Sequence, residues 1–306
     1  MSEYSGSEKM VLTKSEPIRI EFELTNYCNA SCEFCPRFNI ADYGFMELEQ
    51  FSAMIAKIRD IRQGLSVFQH NPSLGFPHVV FGGYGEALLH KDFPEFISIA
   101  KVNYLPTELI TNGALLTLEN CKRLVTSGLD KLSISLHTLD SKVNEQIMNR
   151  ADTKETVRSA LEFLDDFPIG VEIWRVGRLD GGRYDLNEDA DAFKRFLSPF
   201  KKEIPVLGPT PAWNRGGQYQ STFYPKVRDS EEVRCHTLNY SLSVSFNGDL
   251  VLCCCDFSLK SVKLAENWDF DFATIQKKVE YCQQNPPQIC QECGKPKDTY
   301  YVQFIR

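Results

Sequence analysis

Ile18-Arg19-Ile20-Glu21-Phe22-Glu23-Leu24 runs, after three more residues, into Cys28-Asn29-Ala30-Ser31-Cys32-Glu33-Phe34-Cys35. The first segment alternates apolar and charged side chains with a period of two, the pattern of a strand. Three thiols then lie on the loop that leaves this strand. A zinc site takes a fourth Cys or His nearby, and no His occurs before His70. An iron–sulfur cluster can be held by three thiolates with one iron left open to a ligand. The stretch therefore points to a substrate-activating cluster on a strand-end loop, with a structural zinc knuckle as the alternative.

Outward from this stretch the chain repeats one theme. Met46 to Ile58 carries apolar residues three and four apart, an amphipathic helix. Strands follow near 78–82, 107–111, 131–136, 169–176 and 204–208, with helices near 92–103, 117–127, 153–165 and 189–199. Strand–helix alternation of this kind implies a parallel sheet with right-handed crossovers, curled into a barrel or part of one. In such barrels ligands gather at the C-terminal ends of the strands. Three further segments end strands in small or polar residues: Val79-Val80-Phe81-Gly82-Gly83-Tyr84-Gly85-Glu86, Leu109-Ile110-Thr111-Asn112-Gly113 and Leu132-Ser133-Ile134-Ser135-Leu136-His137. The glycines of the first allow close backbone approach to a ligand.

The Cys-x3-Cys-x2-Cys spacing, with Phe34 before the last Cys and Pro36 after it, resembles the signature of the radical S-adenosylmethionine (radical SAM) superfamily. Gly82 to Glu86 is similar to that family's Gly-Gly-x-Gly-Glu-Pro segment, with Ala87 in place of Pro. The resemblance implies a 4Fe–4S cluster on Cys28, Cys32 and Cys35, and SAM on its open iron. It places Phe34, Gly83 and Glu86 against SAM, the last two at its methionyl amino group. Thr111, Asn112 and Ser135 fall near the ribose or methionine, or else serve only their turns. Arg175 suits the SAM carboxylate, because a guanidinium fork matches a carboxylate; a surface salt bridge is the alternative. The implied fold is α/β: a partial (β/α)6 TIM-like barrel over 17–217, after an N-terminal tail at 1–16. Asn214 and Arg215 either face the site or belong to a linker with Gly216-Gly217.

From about residue 218 the pattern changes. Ser241 to Leu252 reads as a hairpin turning at Asn247-Gly248. Cys235 precedes it, Cys253 ends it, and Cys290-x2-Cys293 follows, giving four thiolates. This arrangement resembles the SPASM and shorter twitch extensions of radical SAM enzymes. It implies an auxiliary 4Fe–4S cluster on Cys235, Cys253, Cys290 and Cys293 within a small α+β domain at 218–306; zinc suits the same sulfurs. Adjacent strand residues face opposite ways, so Cys253-Cys254-Cys255 cannot all serve one cluster without strain. One of Cys254 and Cys255 then faces the active site as a hydrogen-atom donor, or is an inert buried thiol. Cys282 is a spare ligand candidate, and Cys121 reads as core.

Composition bounds the function. The chain has 306 residues, 42% of them hydrophobic and 25% charged, as in an ordinary globular protein. It shows no signal-peptide h-region and no long apolar run, so a cytoplasmic location without membrane spanning is expected. Eleven Cys in that setting read as metal or redox chemistry rather than disulfides. A net charge of −7 disfavours tracking of nucleic-acid phosphates. The resemblance implies an oxidoreductase or epimerase that cleaves SAM reductively and abstracts hydrogen from a small sugar- or aminocyclitol-like substrate, fed by a flavodoxin- or ferredoxin-type reductant. A peptide maturase is the alternative; about sixteen residues before the first strand are too few for a leader-binding domain. A two-site metal or electron-transfer scaffold is the non-enzymatic alternative.

Overall fold

The computed structural model describes residues 19–62, 78–150, 152–178, 190–211, 218, 238, 241–257, 261–267, 269 and 271–293. Cys235, Asn214, Arg215 and the tail at 1–16 lie outside them. Six strands lie parallel in chain order: β1 (Arg19–Phe22), β2 (His78–Phe81), β3 (Thr107–Thr111), β4 (Lys131–Ser135), β5 (Gly170–Arg178) and β6 (Val206–Pro211). Helices α1 (Leu48–Arg62), α2 (Phe93–Val102), α3 (Leu118–Thr126), α5 (Thr153–Leu164) and α6 (Ala190–Leu197) supply the crossovers the periodicity predicts. This is the α/β, parallel-stranded partial barrel expected from the sequence.

Within the barrel, one helix lies outside the pattern that the periodicity predicts. Helix α4 (Ser141–Met148) precedes α5, capped by the Asp140 carboxylate, which accepts from Lys142 N at 2.8 Å and Val143 N at 3.1 Å.

Strand alternation decides what each face of the sheet touches. Ile20, Phe22, Val79, Phe81, Leu109, Leu132, Ile134, Val171 and Ile173 enter the main core. Phe51 of α1 sits at its centre, its ring 4.9 Å from Phe22 and 5.0 Å from Phe96 of α2.

The chain beyond residue 217 joins the same sheet. Strand β7 (Ser241–Val244) pairs in parallel with the second edge of β1, Arg19 opposite Ser241 and Phe22 opposite Val244. It turns back into β8 (Leu250–Val251), and β9 (Lys263–Ala265) follows antiparallel. The sheet order is β6-β5-β4-β3-β2-β1-β7-β8-β9. The hairpin turns where Asn247-Gly248 predicts, with Gly248 at φ +83° and Gln50 Nε2 of α1 donating to Asn247 O at 2.9 Å. Helices α7 (Phe272–Gln284) and α8 (Gln288–Gln291) complete this end.

Candidate active site

The cysteine loop that leaves β1 is braced from three sides. Ser31 N and Glu33 N each donate at 3.0 Å to Met148 O and Ile147 O at the end of α4. Phe34 packs with Ile147 and Met148, and its ring meets His137 edge-on at 5.2 Å. Arg150, just past the left-handed Asn149, donates to Asn29 O, and Arg37 Nη2 donates to Ala30 O at 2.9 Å. The helix that sequence periodicity misses is thus the wall against which the loop is set.

The glycine-rich turn after β2 is held from beneath by β1. Glu21 Oε1 accepts from Gly83 N at 3.1 Å, and Glu23 Oε1 accepts from Tyr84 N at 3.2 Å. Gly83 has φ +99°, and a Cβ on Gly85 would stand 1.9 Å from Thr25 O, so neither position admits a side chain without distortion. Glu86 is buried, and its carboxylate accepts from Leu88 N at 3.2 Å, Thr111 Oγ1 at 2.9 Å and Asn112 N at 2.8 Å. Burial pushes its pKa up against the pull of these hydrogen bonds. Asn112 Nδ2 donates to Asn29 Oδ1 at 2.7 Å and lies 3.6 Å from Cys28 Sγ. The ends of β1, β2 and β3 are so tied into one unit.

These elements surround a cavity of about 320 Å³. It is bordered by Cys28, Cys32 and Cys35, by each SAM contact inferred from the sequence (Phe34, Gly83, Glu86, Thr111, Asn112, Ser135 and Arg175), and by Cys254. A hollow of about 550 Å³ over β9 and α7 is larger but contains no cysteine. Arg175 does not simply point inward. It follows Val171 and Ile173 in the strand alternation, its guanidinium stacks 4.2 Å from the Phe193 ring centre, and Nε donates to His137 O at 3.2 Å.

The loop thiols fit a positively charged iron group. Burial raises the pKa of Cys28 and Cys32, and so does the charge of neighbouring thiols, while Arg37 opposes the rise. Thiols that resist ionising on their own are stabilised as thiolates by metal cations. Among the described residues no three His, Cys, Asp or Glu side chains converge as a single ion requires; a multi-iron cluster spans wider-set ligands.

The C-terminal cysteines divide. Cys255 is 3% exposed, in contact with Cys253 and Cys254 and within electrostatic reach of Cys293, with its pKa raised well above that of an ordinary thiol. Cys290 is buried one helical turn from Cys293. Cys254 instead borders the cavity and packs beside Tyr84 of the glycine turn and Phe257. Cys282 and Cys121 are buried in the main core.

A family model for the radical SAM superfamily matches residues 22–197. The chain belongs to the radical SAM superfamily. It is 30% identical over 145 residues to GTP 3′,8-cyclase of Aquifex aeolicus, covering 46% of this chain and 42% of that protein. It is 28% identical over 151 residues to the mycofactocin maturase MftC of Mycolicibacterium smegmatis, covering 49% and 35%. The chain therefore aligns with less than half the length of these curated relatives. Among solved structures, BtrN in complex with AdoMet and 2-DOIA superposes with TM-score 0.59 at 15% identity, over 93% of this chain and 97% of that one. Streptococcus suis SuiB bound to its precursor peptide SuiA gives 0.57 at 15% identity, over 92% and 70%. At such identities these two speak for the shared fold.

Sequence reasoning passed over Glu21, Glu23, Asn29 and Arg150, which position the turn and the loop. A signal for the first two was present, since charged residues at alternate positions of a strand inside a parallel sheet need a reason to be there.

Proposed function

We propose that this radical SAM protein abstracts a hydrogen atom from a small polar substrate, a sugar, an aminocyclitol or a similar ring, held in the cavity beside SAM. The observation that carries this reading is the single cavity shared by the three loop cysteines, the glycine turn, a charged sheet face and Cys254. Bound together, a 4Fe–4S cluster on Cys28, Cys32 and Cys35 and SAM would supply hydrogen-atom abstraction from an unactivated carbon.

The chain's own residues orient the reactants. Glu21 and Glu23 occupy the N–H groups of Gly83 and Tyr84, so the turn offers carbonyl oxygens, which suit the methionyl ammonium. Glu86 fixes Thr111 and Asn112 around that point. Ser135 and Arg175, on the β4 and β5 wall, are assigned the ribose and the carboxylate. Phe34 and Met148 close the loop side with apolar surface.

Cys235, Cys253, Cys290 and Cys293 are assigned a twitch-like auxiliary 4Fe–4S cluster, and the arrangement of Cys253, Cys255 and Cys293 supports a sulfur-rich centre there. Such a cluster, when bound there, would supply an electron acceptor, the chemistry that dehydrogenation needs. A hydrogen atom returned by the Cys254 thiol gives epimerisation, and its place on the cavity wall favours Cys254 over Cys255 for that role. A flavodoxin- or ferredoxin-type protein is the assigned reductant.

A second reading is maturation of a peptide. It is favoured by similarity to PqqA peptide cyclase of Granulibacter bethesdensis, 28% identical over 44% of this chain and 33% of that protein, and by the SuiB fold.

Anaerobic reconstitution, iron and sulfide counts, and 5′-deoxyadenosine formation with dithionite and SAM test the proposal. About eight irons and deoxyadenosine are expected. Bound zinc, or clusters without SAM cleavage, would overturn it in favour of a metal scaffold.

A further inference from the structure

Asn112 follows β3, and each of its side-chain polar atoms has a set partner. Its backbone N–H donates to Glu86 Oε2 at 2.8 Å. Its Oδ1 accepts from Ala114 N at 3.0 Å, the side-chain turn that Asn and Asp both make. That bond fixes which end of the amide is oxygen, so the other end is the Nδ2 donor. Nδ2 donates to Asn29 Oδ1 at 2.7 Å and to Cys28 Sγ at 3.6 Å, which uses both of its hydrogens. An aspartate would close the turn equally well but carries no hydrogen for either partner. The turn alone does not account for the amide.

The three loop sulfurs differ in the donors they receive. Cys28 Sγ accepts from Asn112 Nδ2 and also from Ala30 N, at 3.4 Å. Among the described residues no other side chain donates to a sulfur of this loop. Burial disfavours negative charge on Cys28 and so does the nearby Glu86 carboxylate, while the Ala30 N–H and Arg37 favour it. Asn112 is 9% exposed on the wall of the cavity, so its amide acts where little water competes and a dipole counts for more. It is also braced on both sides. Glu86 holds its backbone, and Asn29, which shares the amide, is itself anchored by Arg150 through its carbonyl oxygen.

We infer that Asn112 is a positioning residue that acts through Cys28: its amide N–H on the Cys28 sulfur raises the reduction potential of a cluster held by Cys28, Cys32 and Cys35. The inference rests on that cluster reading and adds the residue that sets its redox poise. A cluster gains a negative charge on reduction, part of it on the ligand sulfurs, and N–H groups aimed at those sulfurs favour the reduced state. The sequence suggested Asn112 as a contact of SAM or as a turn residue. The structure assigns its side chain to the metal end of the cavity and leaves Glu86, to which its backbone is tied, at the SAM end. With this donor in place a weaker one-electron reductant suffices to fill the cluster.

The test uses the anaerobically reconstituted full chain without SAM, titrated against redox mediators, with the reduced cluster read by electron paramagnetic resonance. Asn112→Leu removes the donor and keeps water out. At a fixed poise its oxidised-to-reduced ratio should rise about tenfold, about 59 mV for a one-electron couple. Asn112→Asp keeps the turn, loses the donor and adds negative charge, so it should move the ratio the same way and at least as far. Thr111→Val controls for a merely structural role. It takes a hydrogen bond from the same Glu86 and donates to no sulfur, so its ratio should stay within about twofold of wild type. Wild-type chain made with asparagine isotopically labelled at its side-chain nitrogen should show a nitrogen coupling to the reduced cluster by electron–nuclear double resonance. That measurement needs no variant and decides the matter if neither Asn112 variant retains iron. An unchanged ratio in both Asn112 variants, an equal shift in Thr111→Val, or a wild type without the coupling would overturn the inference. A chain that shows the shift but never cleaves SAM keeps this inference and loses the proposed function. One that makes deoxyadenosine with no shift does the reverse.

Discussion

The two cysteine groups differ in what surrounds them. Cys28, Cys32 and Cys35 sit half-buried on a loop whose backbone is tied to α4, β2 and β3, and they open onto a cavity. Cys255 touches Cys253 and Cys254 and lies within electrostatic reach of Cys293, and of the C-terminal cysteines described only Cys254 borders that cavity. An open, braced group is built to present a metal to a ligand. A crowded group is built to enclose one. Under the proposed function the first group holds the catalytic cluster and the second handles electron or hydrogen traffic.

The largest effect should come from removing a ligand on the open side. Cys28→Ala, Cys32→Ala or Cys35→Ala should each cut deoxyadenosine formation by about a thousandfold or more, to background, in a dithionite assay. Cys253→Ala or Cys293→Ala should instead remove about half the iron and leave deoxyadenosine within about tenfold of wild type, because dithionite bypasses the second centre. Equal losses from both sets would erase the distinction drawn between them.

The turns of the two regions can be compared next. Gly85→Ala puts a Cβ against the Thr25 backbone, which cannot move aside, and should cost about 3 kcal/mol by denaturant unfolding. Gly248→Ala meets the flexible end of Gln50 at a φ of +83° and should cost about 1 kcal/mol. A reversed order would mean that the hairpin, not the glycine turn, is the rigid element.

Within the crowded group, Cys253→Ala should lower iron retention while Cys254→Ala leaves the iron count unchanged. Iron analysis after desalting reads both, and equal iron loss would place Cys254 in the second centre.

The smallest effect is on pH dependence. The Glu108 pKa is lowered in the folded chain, so its ionic contribution is complete above the unfolded value near 4.5 and is lost as pH falls through the folded one. Glu108→Gln should therefore flatten the fall in melting temperature below about pH 4.5, with no matching change above pH 6. An unchanged acid limb would mean that Arg19 and Lys131 do not hold that carboxyl in its ionised form.

Much of this was legible in the residues. Strand–helix alternation fixed the parallel architecture because apolar spacing is a local property, and Asn247-Gly248 marked its turn for the same reason. The pairing of β7 with β1 was not legible, because contact between distant segments leaves no local signature. Cys254 and Cys255 could not be told apart either, since their separation depends on how the chain bends after β8. Arg175 borders the cavity, but its stacking on Phe193 was not legible, because it depends on where α6 packs against β5.

Strand β1 occupies an unusual place, because its two neighbours come from opposite ends of the sequence. During synthesis β2 is made early, whereas β7 emerges only after the whole barrel has been translated. Until then one edge of β1 offers unsatisfied backbone groups to any passing strand. The late, long-range pairing makes this closure a slow step of high contact order. A chain truncated before residue 241 would leave that edge open and should aggregate rather than persist as a free barrel.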